Sequence, residues 1–336
     1  DMTTTCPLAT EIYSSLPFHI VQWCILSSCF SSVLVVIYSF FCFHRKHPFE
    51  NSTKELITAL YFYVILYSST QVFNQGTLLF YRYSASIPCE AQVPRGFCFA
   101  RMLGSSIVPS FVVIHIAITV QRALSTFSIS STIQIIVSRI LIFLSFVYAI
   151  VYGILTYLPE PLNGYSAYCS SITKSSEAAI ILNIVVMFAL DVCNVIVSFS
   201  LWRYNKYKLE SRTSYHLEDT YRHRQNATTT FNFLPIEFIH AIVYCSLFVI
   251  YVLGAKLKRQ YTDGEYLFIN VVTNIFPYYV LACPLILTVL IRRDRINRKK
   301  DVKGMIQGQN SKQYFEALAK QWKSDDTPIG TVRKSV

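Results

Sequence analysis

The stretch Ile140-Leu-Ile-Phe-Leu-Ser-Phe-Val-Tyr-Ala-Ile-Val-Tyr-Gly-Ile-Leu-Thr-Tyr-Leu158 decides the fold. It holds no charged residue over a length that, as a helix, matches the ~30 Å hydrocarbon core of a bilayer. A soluble helix of that length would show a polar face on every turn. Working outward, six further stretches have the same character, so spans are expected at 17–43, 56–81, 98–121, 133–157, 177–202, 229–253 and 265–291. Spans two and six are the most polar, carrying Gln71, Asn74, Gln75 and Glu237. Arg139, early in span four, can snorkel to an interface. The composition agrees, with 15% of the 336 residues charged and 53% hydrophobic, against about 25% charged in a soluble domain. The expected fold class is all-α, a seven-transmembrane helix bundle.

Direction follows from the basic residues, which favour the cytosolic side of a membrane. The connections after spans one, three and five, with the tail, hold 23 of the 30 Lys and Arg residues, and the opposite side holds 7. The richer side is expected in the cytosol. Residues 1–16 then form an extracellular N-terminus, 17–291 the seven-helix domain and 292–336 a cytosolic tail. The first eleven residues lack the basic n-region of a cleavable signal peptide, so span one is expected to act as its own insertion signal. The net charge of +11 reads as a topology signal and a contact for anionic lipid. Nucleic-acid binding has little left to explain. In the tail, 292–300 is a basic cluster that suits a helix along the membrane. Residues 313–323 place Phe315, Leu318 and Trp322 on one face of a short amphipathic helix, and 324–336 read as disordered.

The topology sorts the ten cysteines. Cys6, Cys89, Cys98 and Cys169 fall on the outer, oxidising side; the others lie in spans. Four cysteines allow three pairings. Cys98–Cys169, with Cys6–Cys89 as the remainder, would tie the loop before span five over the bundle, and the competing pairing joins Cys89 to Cys98 locally. The Asn51 and Asn226 sequons fall on the cytosolic side and are chance matches.

Ionisable groups inside a membrane are costly and mark functional or structural contacts. Asp191 lies near the middle of span five. Glu237 and His240 share one face of span six at i, i+3, after Pro235. His115 lies in span three, and Asn270 and Asn274 precede Pro277 and Pro284 in span seven. Proline-containing late helices suit a bundle that switches between packings. Asp191, Tyr244, Phe248, Tyr251 and Tyr266 are candidates for lining a ligand pocket; the competing reading is an interfacial aromatic belt. Glu237 and His240 are too few to hold a metal. No span holds the lysine that a retinal Schiff base needs. No histidine boxes, Walker motif or catalytic triad stand out, so neither an enzyme nor a cofactor is expected.

Gln121–Arg122, closing span three, resembles the acid–arginine pair of G-protein-coupled receptors, with the acid replaced by its amide. The segment Leu217-Glu-Asp-Thr-Tyr-Arg-His-Arg-Gln-Asn226 resembles the Leu-Ser-x-Arg-Tyr-Gln-x-x-Glu-Asn signature of the nematode serpentine chemoreceptors of the Sra superfamily. Leu217, Tyr221 and Asn226 match it; Gln225 replaces its glutamate and Arg222 its glutamine. Pro88-Cys-Glu, Phe97-Cys-Phe-Ala-Arg101, Asn51-Ser-Thr-Lys54 and the early Cys6 are similar to that family's loops, and class Sra proper fits best. The resemblance implies a chemosensory receptor at the plasma or ciliary membrane. It would bind a small external ligand and activate a heterotrimeric G protein through its basic inner face. Gln121, Arg122, Tyr221, Gln225, Asn226, Glu237, His240 and Pro284 become the expected switch and coupling residues. With both acids replaced by amides, Arg122 is expected to be weakly held and basal activity raised. The alternatives are a seven-span ligand-gated channel subunit or transporter, which would conduct without a G protein, and a membrane protein with no diffusible ligand.

Overall fold

The computed structural model describes residues 2–42, 50–157, 163–169, 176–211, 217–257 and 262–308. Side chains are described within these ranges except at 2–5, 42, 217–221, 253–257, 263, 266, 298 and 301–308. The amphipathic segment expected at 313–323 lies outside the described residues.

In chain order the helices are α1 (Met2–Ser14), α2 (Leu16–Cys42), α3 (Asn51–Ser84), α4 (Phe99–Thr126), α5 (Ser131–Tyr157), α6 (Glu177–Glu210), α7 (Leu217–Leu257), α8 (Asp263–Val272) and α9 (Phe276–Gly308). Seven stretches among them are long and apolar enough to cross a membrane. They coincide with the seven expected spans, most running several residues further at one end or both. The burial pattern is that of a protein dissolved in lipid. Phe143, Leu155 and Leu182 stay exposed, while Gln71, Ser145, Asp191 and His240 are buried. Lipid cannot hydrogen-bond to polar groups, so they turn inward and bridge helices.

Small residues set the closest helix approach. A Cβ on Gly104 of α4 would meet the Thr70 Oγ1 of α3 at 2.8 Å. Pro109, Pro235 and Pro284 sit inside α4, α7 and α9. The Thr288 hydroxyl donates to the Pro284 carbonyl at 2.6 Å.

Two features depart from the expectation. The seventh span is not one helix, because residues 273–275 break it between α8 and α9. Pro277 marks the restart: it has no N–H to donate, which costs nothing in the first turn of a new helix. The N-terminal segment is itself helical, as α1, and is held by contacts that no periodicity announced. Cys6 bonds to Cys89, in a 3-10 turn at Pro88–Ala91. The Tyr13 hydroxyl donates to the Ala167 carbonyl at 3.1 Å, and Arg82 lies 5.1 Å over the Tyr13 ring. Burial pushes the Tyr13 phenol above its ordinary pKa, so it remains a donor.

A small lid closes the same end of the bundle. Strands β1 (Val93–Pro94) and β2 (Tyr165–Ser166) pair antiparallel, Val93 opposite Ser166. Gly164, at φ +94°, makes the turn into β2, and its carbonyl accepts from the Arg95 N–H at 2.9 Å. The Cys98–Cys169 disulfide fastens this loop to the start of α4. Packing divides the chain into residues 1–288, which hold the bundle, and residues 289–336. Taken by itself, the second unit is helical to Gly308 and exposes Arg292, Arg293, Arg295, Lys299 and Lys300.

Candidate functional site

Helix α4 carries three polar sites along its length: Arg101, His115 and Arg122. Their outer members are 21 positions apart, about 30 Å at helical rise, so they cover the thickness of the membrane.

At the far end from the disulfides, Arg122 is the centre of a closed network. Its Nη2 lies 3.0 Å from Glu50 Oε2, with the arginine side chain 3% and the glutamate 30% exposed. Glu50 immediately precedes α3, yet its side chain caps nothing there; it is aimed at α4. Arg122 also donates through Nε to Gln121 Oε1 at 2.6 Å, through Nη1 to Asn226 Oδ1 at 3.4 Å, and through Nη2 to Thr53 Oγ1. The Gln121 amide nitrogen donates to Glu50 Oε2, Ser52 Oγ and Gln134 Oε1 at 2.9, 2.9 and 3.0 Å. The Ser125 hydroxyl, with one proton to donate, lies 3.1 Å from Glu50 Oε1 and 2.9 Å from Asn226 Oδ1. A second tier, Thr126, Asn205 and His223, links α4, α6 and α7 through bonds of 2.9 and 2.8 Å.

This arrangement corrects one expectation. Arg122 does not go without a carboxylate; Glu50 supplies it from the opening of α3. Gln121 is the amide that orients both charged partners, a role glutamate could not fill, because it would face Glu50 with a second negative charge. Gln225 makes no hydrogen bond to Arg122 among the described residues, whereas Asn226 bonds to it directly. The sequence offered a signal for Glu50: an acid adjoining Asn51-Ser-Thr-Lys54, whose Ser52 and Thr53 both read the Gln121–Arg122 pair. Asn226 is fully buried, which closes its sequon to any modification.

In the middle of the bundle, His240 Nδ1 lies 2.9 and 3.0 Å from the two Asp191 oxygens, both side chains fully buried. Glu237 does not share this pair. It accepts from Thr119 at 3.3 Å, and Thr119 lies 2.8 Å from Ser198. His115 stands with its ring 4.5 Å from that of His240 and its Nε2 2.8 Å from the Tyr279 hydroxyl. The i, i+3 residues of span six thus reach two different helices. Among the described residues, no group of three or more His, Cys, Asp or Glu side chains could hold a metal ion.

Toward the lid, a cavity of about 70 Å³ opens between α3, α4, α5, α6, α7 and the broken seventh span. Tyr67, Tyr152, Tyr244, Tyr251 and Phe276 form its aromatic wall, and Arg101 faces it from α4. Asn274, in the helix break, lines it too; irregular backbone at membrane depth survives where it borders a cavity. Of the expected pocket residues, Tyr244 and Tyr251 line the cavity. Phe248 stacks instead on Phe188, centroids 5.3 Å apart. Asp191 lies deeper, one contact away, since the His240 ring sits 4.9 Å from that of Tyr244. The side chains of Tyr221 and Tyr266 are outside the described residues. Arg101 was missed as a pocket residue because it appeared as one of the seven basic residues of the outer side and as part of a loop-side motif. Its position three residues after Cys98, on the same helix face, was the available sign.

Comparison with known proteins places this architecture. The profile described as "Serpentine type 7TM GPCR chemoreceptor Sra" matches residues 2–322. Among curated proteins the chain is similar to serpentine receptor class alpha-7 of Caenorhabditis elegans, 27% identical over 328 residues that cover 92% of this chain and 95% of that protein. It is similar to serpentine receptor class alpha-4 of the same organism at 26% over 344 residues, covering 96% and 98%. With seven membrane-length helices, two disulfides and a profile match over nearly its whole length, the chain belongs to the Sra family of serpentine seven-helix chemoreceptors and is a multi-pass membrane protein.

Proposed function

We propose that this protein is a G-protein-coupled chemosensory receptor of the plasma membrane, the ciliary membrane included. In this reading the lid and α1 face outward, a small ligand enters the tyrosine-lined cavity, and the Arg122 end faces a heterotrimeric G protein in the cytosol. The asymmetry of the basic residues supports the orientation. The observation that carries the function is the buried Arg122 network. A membrane bundle gains nothing in solubility from burying a guanidinium, and burying one costs several kcal/mol unless it is paired. A retained, fully paired arginine at the junction of α3, α4 and α7 suits a two-state element. Paired with Glu50 and Asn226, it closes that end; released, its guanidinium joins the basic face and itself contacts the G protein, so removing it silences the receptor.

Cells lacking endogenous heterotrimers test this. The receptor is expressed with each Gα class in turn, and second-messenger output is recorded for the wild type and Arg122→Ala. The reading expects output with at least one Gα class and its loss in the variant. Ionic current through planar bilayers holding the purified protein, with no output under any Gα, would replace it by the channel reading.

A further inference from the structure

Arg101 presents an unmet requirement. Its Nη1 donates to Gln71 Oε1 at 2.6 Å. Its Nε is buried and has no partner, and among the described residues no carboxylate pairs with it. Nε and Nη2 lie along the same edge of the guanidinium, the edge that takes the two oxygens of a carboxylate. The bond to Gln71 holds the opposite nitrogen, so this edge is the one left without a partner. A half-buried guanidinium beside tyrosines, without a counter-charge, is costly at its buried Nε, and the cost is relieved when an anion enters.

The rest of the cavity defines the group that the anion carries. Tyr67, Tyr152, Tyr244, Tyr251 and Phe276 supply an apolar, aromatic surface around a volume of about 70 Å³. At the volume that one water requires, this holds roughly five to seven non-hydrogen atoms. Two of those are the carboxylate oxygens, which leaves a chain of about three to five carbons. We infer that the cavity at Arg101 is a recognition site for short-chain monocarboxylates, bound through the Nε–Nη2 edge of Arg101 with the alkyl chain among the tyrosines. The disulfide of Cys98, one turn before Arg101, and the bond to Gln71 fix the guanidinium in advance, which lowers the ordering cost of binding.

This inference rests on the receptor reading for its biological sense, but its test does not. The purified full chain in lipid nanodiscs is titrated with butanoate, with 1-butanol and with butylamine, and binding is read by thermal unfolding and by calorimetry. Butanoate is expected to bind and raise the unfolding temperature; the alcohol and the amine, of equal chain length, are expected to bind at least tenfold more weakly. Arg101→Lys keeps the charge and loses the fork, and should weaken butanoate binding by about ten- to hundredfold. Ser105 of α4 also lines the cavity; Ser105→Phe fills it and leaves Arg101 in place, and should abolish binding. Equal binding of butanoate and 1-butanol, or butanoate binding unchanged in both variants, overturns the inference. Butanoate binding without any G-protein output would keep the site and remove the receptor reading; G-protein output without butanoate binding would do the reverse.

Discussion

Replacing Glu50 by glutamine removes one charge from the Arg122 network and almost no volume. Arg122 is nearly inaccessible and Glu50 about one-third exposed, so their bond is stronger than a surface pair and weaker than one fully desolvated. A hydrogen bond to a charged group is worth about 1.5–3 kcal/mol, and the partial exposure of Glu50 puts the loss at about 2 kcal/mol. That is roughly a thirtyfold change in the closed–open equilibrium. A receptor resting about 1% open would then stand near one-quarter open without ligand. GTPγS uptake by purified heterotrimer, with receptor in nanodiscs and no ligand, reads this directly: Glu50→Gln should speed uptake more than tenfold. Adding Gln121→Glu to that variant should restore slow uptake, because the new carboxylate stands where Gln121 Oε1 now meets Arg122 Nε at 2.6 Å. In the wild-type background the same Gln121→Glu change should raise uptake, since it faces Glu50 across the 2.9 Å now bridged by an amide donor. Unchanged uptake in Glu50→Gln, with the protein folded, would refute the reasoning.

Asp191→Asn and His240→Gln should each lower the unfolding temperature of the purified protein, and the double variant should cost less than the sum, with a coupling above about 1 kcal/mol; additive losses would show that the pair is not energetically linked. Cys98→Ser, Cys169→Ser and the double variant should lose surface expression equally, measured by antibody against an N-terminal tag, because either change opens the same lid tie. Gly104→Ala should destabilise the bundle by about 1–3 kcal/mol in thermal unfolding, and adding Thr70→Ala, which removes the hydroxyl at 2.8 Å, should recover most of it.

The seven spans were legible because lipid imposes one rule on every residue of a crossing helix. The interiors of the spans therefore read directly from apolar length, as in 140–158. Their ends did not, since helices continue into the polar region on capping and local contacts. The break at 273–275 was signalled by Pro277 but masked by the apolar residues on either side of it. Helix α1 was illegible because it depends on a disulfide and on Tyr13 reaching Ala167, 154 positions away. In the site, Asp191 and His240 announced themselves as charges inside spans. Glu50 did not, because an acid in a polar loop is ordinary until the helix beside it is known to hold an arginine. Arg101, near a helix start, looked like a topology charge for the same reason.

Receptor function depends on which way the bundle faces, and tags at both ends measure this most directly. Antibody against a tag before Asp1 should stain intact cells, and antibody against a tag after Val336 should stain only after permeabilisation. The opposite result would put both disulfides in the reducing cytosol and the Arg122 network outside, out of reach of any G protein, and would contradict the receptor account.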